Sequence, residues 1–360
     1  MAKGNAAPRI AVVGAGALGG YVGGWLAQTG HDVTLIDGWP EHIETIRKRG
    51  LELDGVTPEE QFTVTKARTM HLTEVQSLAK EAPIDIAFVA VKSYDTEWAT
   101  MLIKPYLAPS GFVVSLQNCL NEEKIAAIVG WGKTVGCIAS VISVDMFEAG
   151  RIRRTVARGG ERHTVFRIGE VHGRITPRVE ALVEMFGPID SAKATSNLWG
   201  ERWSKLCMNG MRNGVSAATG MTTTDCDRNP AIRHFAIGLA TEGAAIGQAL
   251  GYTLEKIGPL APELLVRLAR GDKEAFAEAD RLMTPGSNSA PPNPRANIQR
   301  PSMAQDMIKG RRTEIEFMNG FIAEKGAEIG LAAPSHLKLT EVVKRVWRGE
   351  QQPGPATLGG

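Results

Sequence analysis

The segment RIAVVGAGALGG, residues 9–20, constrains this chain more than any other. A short branched apolar run predicts a strand, and the glycines that follow predict a tight turn into a helix dense in small residues from Ala17 to Gln28. The roles in GAGALG divide cleanly. Gly14 permits the turn, Gly16 lets a pyrophosphate approach the backbone, and Gly19 allows close helix contact. Ala17, Leu18 and Gly19 then form the first helical turn, whose N–H groups suit phosphate. A second strand, Asp32 to Ile36, ends on Asp37, 18 residues after Gly19. A carboxylate there accepts from an adenosine ribose 2′-hydroxyl and repels a 2′-phosphate, and no Arg or Lys occurs again before Arg47. The spacing therefore predicts a nicotinamide dinucleotide site that prefers NAD, with NADP as the runner-up.

Charge and cysteine usage narrow the partners. Lys and Arg total 41 against 39 Asp and Glu, a net of +2 that supplies no field for nucleic acid or an anionic membrane. Cys119, Cys137, Cys207 and Cys226 form no CxxC pair, which fits a reducing cytoplasm and gives no metal signal. Residues 10–27 carry no charge, but six of them are glycine, so the stretch reads as buried in a soluble protein rather than in a membrane. The seven histidines are scattered, and no metal is expected.

Further apolar runs, Ile84 to Val91, Gly111 to Leu116 and Val135 to Val144, predict strands of a mostly parallel sheet, with helices near 95–104 and 121–129. The basic segments RIRRTV and HTVFRIG, between 148 and 168, read as antiparallel strands at its far edge, with Arg151, Arg153 and Arg154 on a solvated face. From about Asn197 the pattern turns helical almost to the end. The expected organisation is an α/β dinucleotide-binding domain over 1–195, an all-α substrate domain over 196–348 and a flexible tail over 349–360. The segment 284–301 holds five prolines and reads as a long loop, a candidate lid.

Across 202–216, Lys205, Asn209 and Asn213 recur every four positions and span an arc of about 80° on one helix face. One ammonium and two amides suit a carbonyl and a carboxylate: the lysine can protonate an oxygen that gains charge, and the amides can orient the remainder. A solvated helix face would give the same spacing. Lys92 and Asn118 each follow a sheet strand, at the carboxyl ends where open α/β sheets place ligands. Ser302 could donate to a substrate carboxylate, and Glu314 could pair with Lys205 or hold a hydroxyl.

In order and spacing, GAGALG, AVKSYDT, LQN, WSKLCMNGMRNGVSA and PSMAQDMIKGRRTEIEFMNGF resemble the ketopantoate reductase family, over about residues 9–348. The resemblance implies a Rossmann-type domain followed by a helical one, an active site in the cleft, a homodimer, and reduction of a small 2-keto acid to a D-2-hydroxy acid, with 2-dehydropantoate as the namesake substrate. It implies Lys205 as general acid, Asn209 and Asn213 as substrate amides, Ser302 as the carboxylate contact and Glu314 as the group that orders substrate and lysine. Lys92 and Asn118 match the junction of nicotinamide and substrate. The chain departs from the pattern at Cys119, where the family has glycine, and at Asp37 and Gly38, where NADP users are basic. An NAD-dependent dehydrogenase of another branched or aromatic 2-hydroxy acid, and a dinucleotide-binding regulator without turnover, are the alternatives.

Overall fold

The structure, a computed structural model, describes residues 7–286 and 300–359. Most of the expected lid, 287–299, lies outside the described residues. The chain divides into two compact units between Leu198 and Trp199.

The first unit runs β1 (Arg9–Val13), α1 (Ala17–Gln28), β2 (Asp32–Asp37), α2 (Pro40–Arg49), β3 (Leu51–Asp54), β4 (Phe62–Val64), β5 (Arg68–His71), β6 (Ile84–Val89), α3 (Thr96–Ile103), β7 (Leu107–Ser115), α4 (Glu122–Val129), β8 (Thr134–Ala139), β9 (Val144–Glu148), β10 (Arg151–Arg154), β11 (Phe166–Glu170), α5 (Pro177–Phe186) and β12 (Ala192–Ala194). Eight strands form one sheet in the order β12-β11-β8-β7-β6-β1-β2-β5. All neighbours pair in parallel except β11 with β8. The strand order reverses beside β1, which has β2 on one side and β6 on the other. Such a switch point opens a crevice at the carboxyl ends of the strands.

Three expectations need correction here. The run from Val135 does not continue as a strand to Val144: β8 stops at Ala139, and the left-handed backbone of Val141 (φ 55°) and Ser143 (φ 36°) turns the chain out of the large sheet. The basic segment RIRRTV is likewise not at the edge of that sheet. Its strand β10 pairs in parallel with β3 in a separate four-stranded sheet, β4-β3-β10-β9, while HTVFRIG supplies β11 beside β8. Nor are all three arginines solvated. Arg151 and Arg153 pair with Glu52, Glu148 and Asp54 at the surface, whereas the Arg154 side chain is 0% exposed and bonded to Asp190, Val156 O and Tyr21 Oη.

The small sheet explains the composition of α1. A Cβ at Gly23 would lie 2.5 Å from Leu35 Cδ2 of the large sheet, and one at Gly20 would lie 2.5 Å from Ile152 Cδ1 of the small sheet. Glycine lets the helix approach both sheets, and every residue from Gly19 to Ala27 is buried.

The second unit is helical: α6 (Leu198–Thr219), α7 (Thr223–Arg228), α8 (Pro230–Ala249), α9 (Pro262–Ala269), α10 (Lys273–Met283), α11 (Ser302–Ile308), a π-helical turn (Glu316–Gly320), α12 (Phe321–Glu328) and α13 (Pro334–Trp347). Among the described residues, no helix is long and apolar enough to cross a membrane. The end of the chain is not a frayed tail. Pro355–Leu358 form a 3-10 turn, Leu358 is buried, and Thr357 Oγ1 donates to Gly354 O and Ala218 O, because the apolar side chain finds a place against the unit's helices.

A buried polar chain ties these helices together. Asn319 Nδ2 donates to Gly210 O on α6 (3.0 Å) and to His336 Nδ1 (3.0 Å), and His336 Nε2 donates to Leu239 O on α8 (2.9 Å). Burial pushes the His336 pKa from 6.5 down to about 4. Unfolded chains bind this proton near pH 6.5 and the folded chain only near 4, so the histidine's contribution to stability is intact above pH 6.5 and is lost as pH falls through that window, at up to about 1.4 kcal/mol per pH unit. We expect His336→Gln to flatten the fall in urea midpoint between pH 6.5 and 4.5; an unchanged slope would refute this account.

Candidate active site

The glycine turn begins where β1 stops. Gly14 (φ 94°) and Ala15 both donate to Ile36 O, at 2.9 and 3.2 Å, so the chain leaves the sheet at the switch point. A Cβ at Gly14 would sit 2.8 Å from the Val91 backbone, and one at Gly19 would sit 2.1 Å from Gly14 O, so both positions need glycine. Gly16 is different: a Cβ there would meet nothing within 4 Å. It is the N-cap of α1 and offers no side-chain cap. The N–H groups of Ala17, Leu18 and Gly19 thus open a helix amino-terminus without a capping side chain beside open space, which fits a pyrophosphate.

The sheet order brings the other first-unit candidates to the same edge. Reading across β7, β6, β1 and β2, the chain supplies Asn118, Lys92, the glycine turn and Asp37 just past, or at, the strand ends. Asp37 Oδ1 accepts the Trp39 N–H at 2.9 Å, an Asx turn that fixes the carboxylate. The Gly38 carbonyl takes a bond from His71 Nε2 at 3.2 Å. Arg47 is engaged by Glu44, Glu74 and Thr69 O.

A buried amide pair joins the Lys92 and Asn118 loops. Gln117 Nε2 donates to Val91 O and Thr96 Oγ1, both at 2.8 Å. Asn121 Nδ2 donates to Asn118 O at 2.8 Å and Ser93 Oγ at 3.2 Å. Neither residue stands out in the sequence, because a polar side chain one or three positions from a candidate carries no signal until the strands are aligned.

In the helical unit, Lys205, Asn209 and Asn213 lie on α6, and Asn213 is buried. The structure brings Asn213 and Ser302 together, 89 residues apart, with Asn213 Nδ2 donating to Ser302 Oγ at 3.5 Å. Glu314 is 5% exposed and stands two residues before the π-helical turn. That turn is held to α6 through Asn319 and Gly210, so the Glu314 segment and the Lys205 helix share one fixed frame. Missed in the sequence, Asn319 and His336 are found only once the π-turn is known, since nothing in a helical pattern announces an extra residue. Among the described residues, no group of three His, Cys, Asp or Glu could hold a metal. All four cysteines are buried.

Two family models cover this architecture. The one described as ketopantoate reductase PanE/ApbA matches residues 10–166, and its C-terminal counterpart matches 197–346. The chain belongs to the ketopantoate reductase family. This is a family of oxidoreductases that act on keto acids, and the chain is an enzyme of that class. It is 30% identical to 2-dehydropantoate 2-reductase of Pyrococcus horikoshii, across 93% of this chain and 96% of the relative. The enzyme of the same name from Archaeoglobus fulgidus is 28% identical, across 95% and 98%. Among solved structures, a PanE/ApbA family ketopantoate reductase from Ralstonia eutropha JMP134 aligns with TM-score 0.74 at 25% identity, covering 96% of this chain and all of that one. D-mandelate dehydrogenase, solved with NADH and anilino(oxo)acetate, shares the fold at TM-score 0.75 and 22% identity, covering 95% of this chain and 98% of that one.

Within this ketopantoate reductase fold, Cys119 occupies a left-handed position (φ 65°) and is buried. A side chain with a Cβ costs about 1–2 kcal/mol there and glycine does not. We expect Cys119→Ala to be less stable than Cys119→Gly by about 1 kcal/mol, although glycine removes more of the side chain; urea denaturation of the two variants decides, and the reverse order would exclude backbone strain at this turn.

Proposed function

We propose that this enzyme reduces 2-dehydropantoate to D-pantoate with a reduced nicotinamide dinucleotide, NADH in preference to NADPH. The observation that carries the reading is the meeting of Asn213 with Ser302 on the helix that bears Lys205 and Asn209. The two contacting groups offer an amide and a hydroxyl to a substrate carboxylate, the amide about two helical turns along α6 from the Lys205 ammonium.

When bound, the nicotinamide supplies a hydride to the keto carbon. Lys205 donates its Nζ proton to the keto oxygen as that oxygen gains charge, which removes the cost of a bare alkoxide. Asn209 and Asn213 orient the substrate, Ser302 donates to its carboxylate, and Glu314 accepts from the substrate hydroxyl or the lysine. The glycine turn and the first turn of α1 hold the pyrophosphate, and Lys92 and Asn118 flank the nicotinamide end. Asp37 accepts from the ribose 2′-hydroxyl through the oxygen that the Trp39 N–H leaves open. The nearest following cation, Arg47, is already paired with Glu44 and Glu74, which supports NADH over NADPH.

The test is oxidation of NADH and of NADPH by the purified protein with 2-dehydropantoate, beside branched and aromatic 2-keto acids. Turnover of another keto acid with none of 2-dehydropantoate would make the enzyme a dehydrogenase of a different 2-hydroxy acid, the activity class of its structural neighbour D-mandelate dehydrogenase. Lys205→Ala should lower kcat at least about 10²-fold while leaving NADH affinity near wild type, and retained turnover would remove the lysine from the mechanism. Asp37→Ala should erode the preference for NADH over NADPH about tenfold, measured as the ratio of kcat/KM values; an unaltered ratio would place cofactor choice elsewhere.

A further inference from the structure

We propose that His42, one of the scattered histidines, is a positioning residue for the dinucleotide: its imidazole holds the Ala15–Gly16 peptide in the orientation that aims the Gly16 N–H at a pyrophosphate. The inference rests on the reading that the glycine turn binds a nicotinamide dinucleotide.

His42 lies in the first turn of α2 and is 0% exposed. Its Nε2 is 3.0 Å from Ala15 O, inside the GAGALG turn, and its Nδ1 accepts the Gly150 N–H at 2.9 Å. A carbonyl can only accept, so the Nε2 carries the proton and the Nδ1 does not. Gly150, in the left-handed turn between β9 and β10, belongs to the small sheet. The ring therefore spans from the glycine turn to the small sheet, and both its nitrogens are used. Only the neutral ring fits, since an imidazolium would oppose one N–H to another at Gly150. Burial lowers its pKa accordingly, against the pull of Asp37. Trp39 stacks on the outer face of the ring, 5.7 Å between centroids and 13° between planes.

The consequence for the cofactor follows from the planarity of the trans peptide, in which C=O and N–H point in opposite directions. His42 fixes the Ala15 carbonyl toward the protein interior. The Gly16 N–H must then point away from the ring, at a residue where an added Cβ would meet nothing within 4 Å. Loss of the bond to Ala15 O frees this peptide to rotate and scatters the donor, with no loss of any group that touches the cofactor.

Two variants separate the two bonds. Glutamine can place an amide N–H where Nε2 lies and restore the bond to Ala15 O, while asparagine can place a carbonyl where Nδ1 lies and restore only the bond to Gly150. Titration of each with NADH, followed by protein fluorescence, should give a Kd for His42→Gln within about threefold of wild type and one for His42→Asn about tenfold weaker. A merely structural histidine would lower the Tm of both without this ordering. Equal affinities for the two variants, or wild-type affinity in His42→Asn, would overturn the proposal. Should His42→Asn not fold, the wild-type chain gives a second readout: the Nε2 proton of His42 should shift and exchange more slowly on addition of NADH, and a resonance that does neither overturns the proposal. Wild-type protein that binds neither NADH nor NADPH defeats the cofactor reading itself, and the proposal with it.

Discussion

The carbonyl of Ile36 accepts two N–H groups, from Gly14 and Ala15, where a regular parallel ladder would give it one. That doubled bond ends β1 and turns the chain at the point where the strand order reverses. Gly14 must then adopt a left-handed backbone, Gly19 must pass against the Gly14 carbonyl, and α1 must start with its amino-terminus over the crevice. Each of these requirements removes side chains from the turn. The surface of the turn is therefore made largely of backbone, and its shape depends on what holds that backbone from behind.

The helical unit solves a related problem with side chains. The roles proposed for Lys205, Asn209 and Asn213 require a helix that neither slides nor rotates, and α6 is held by close neighbours. A Cβ at Gly214 would lie 2.8 Å from Leu339 Cδ2, and Gly210 presents its carbonyl to Asn319. The acceptor chain from Gly210 through Asn319 and His336 to Leu239 links α6, the π-turn, α13 and α8 without a charged group. Glu242 adds a cap, accepting the Ser335 N–H and hydroxyl at the start of α13. A polar core of neutral groups gives directional fixing while avoiding the desolvation cost of an ion pair.

What was legible in the sequence shares one property: it is local. GAGALG with Asp37, the parallel strands, and the four-residue spacing on α6 are all contained within short windows, and the structure has the corresponding elements. What was not legible depends on strands far apart in the chain. The pairing of β10 with β3 joins residues about 100 positions apart, so the RIRRTV segment looked like an edge of the nearest sheet. Arg154 had the same composition as its exposed neighbours, and only the alternation of β10 against α1 placed it inward beside Asp190. His42, Asn121 and Asn319 were silent for a further reason. Each acts on backbone carbonyls or N–H groups, which every sequence contains everywhere, so no spacing of residue types marks them. The meeting of Asn213 and Ser302 is likewise a fact of helix packing, foreshadowed only by the family resemblance.

The enclosure of α1 between two sheets carries a consequence for how enzymes of this build can diverge. With glycine against Leu35 on one side and Ile152 on the other, the helix cannot tilt to make room for a bulkier or more highly charged nucleotide without unpacking both sheets at once. The helix behind the glycine turn, the proposed seat of the phosphates, is thus held on both sides. On the function proposed above, a change of cofactor would fall to the short Asp37–Gly38–Trp39 turn, where replacement of a single side chain alters the local charge and leaves the scaffold as it is.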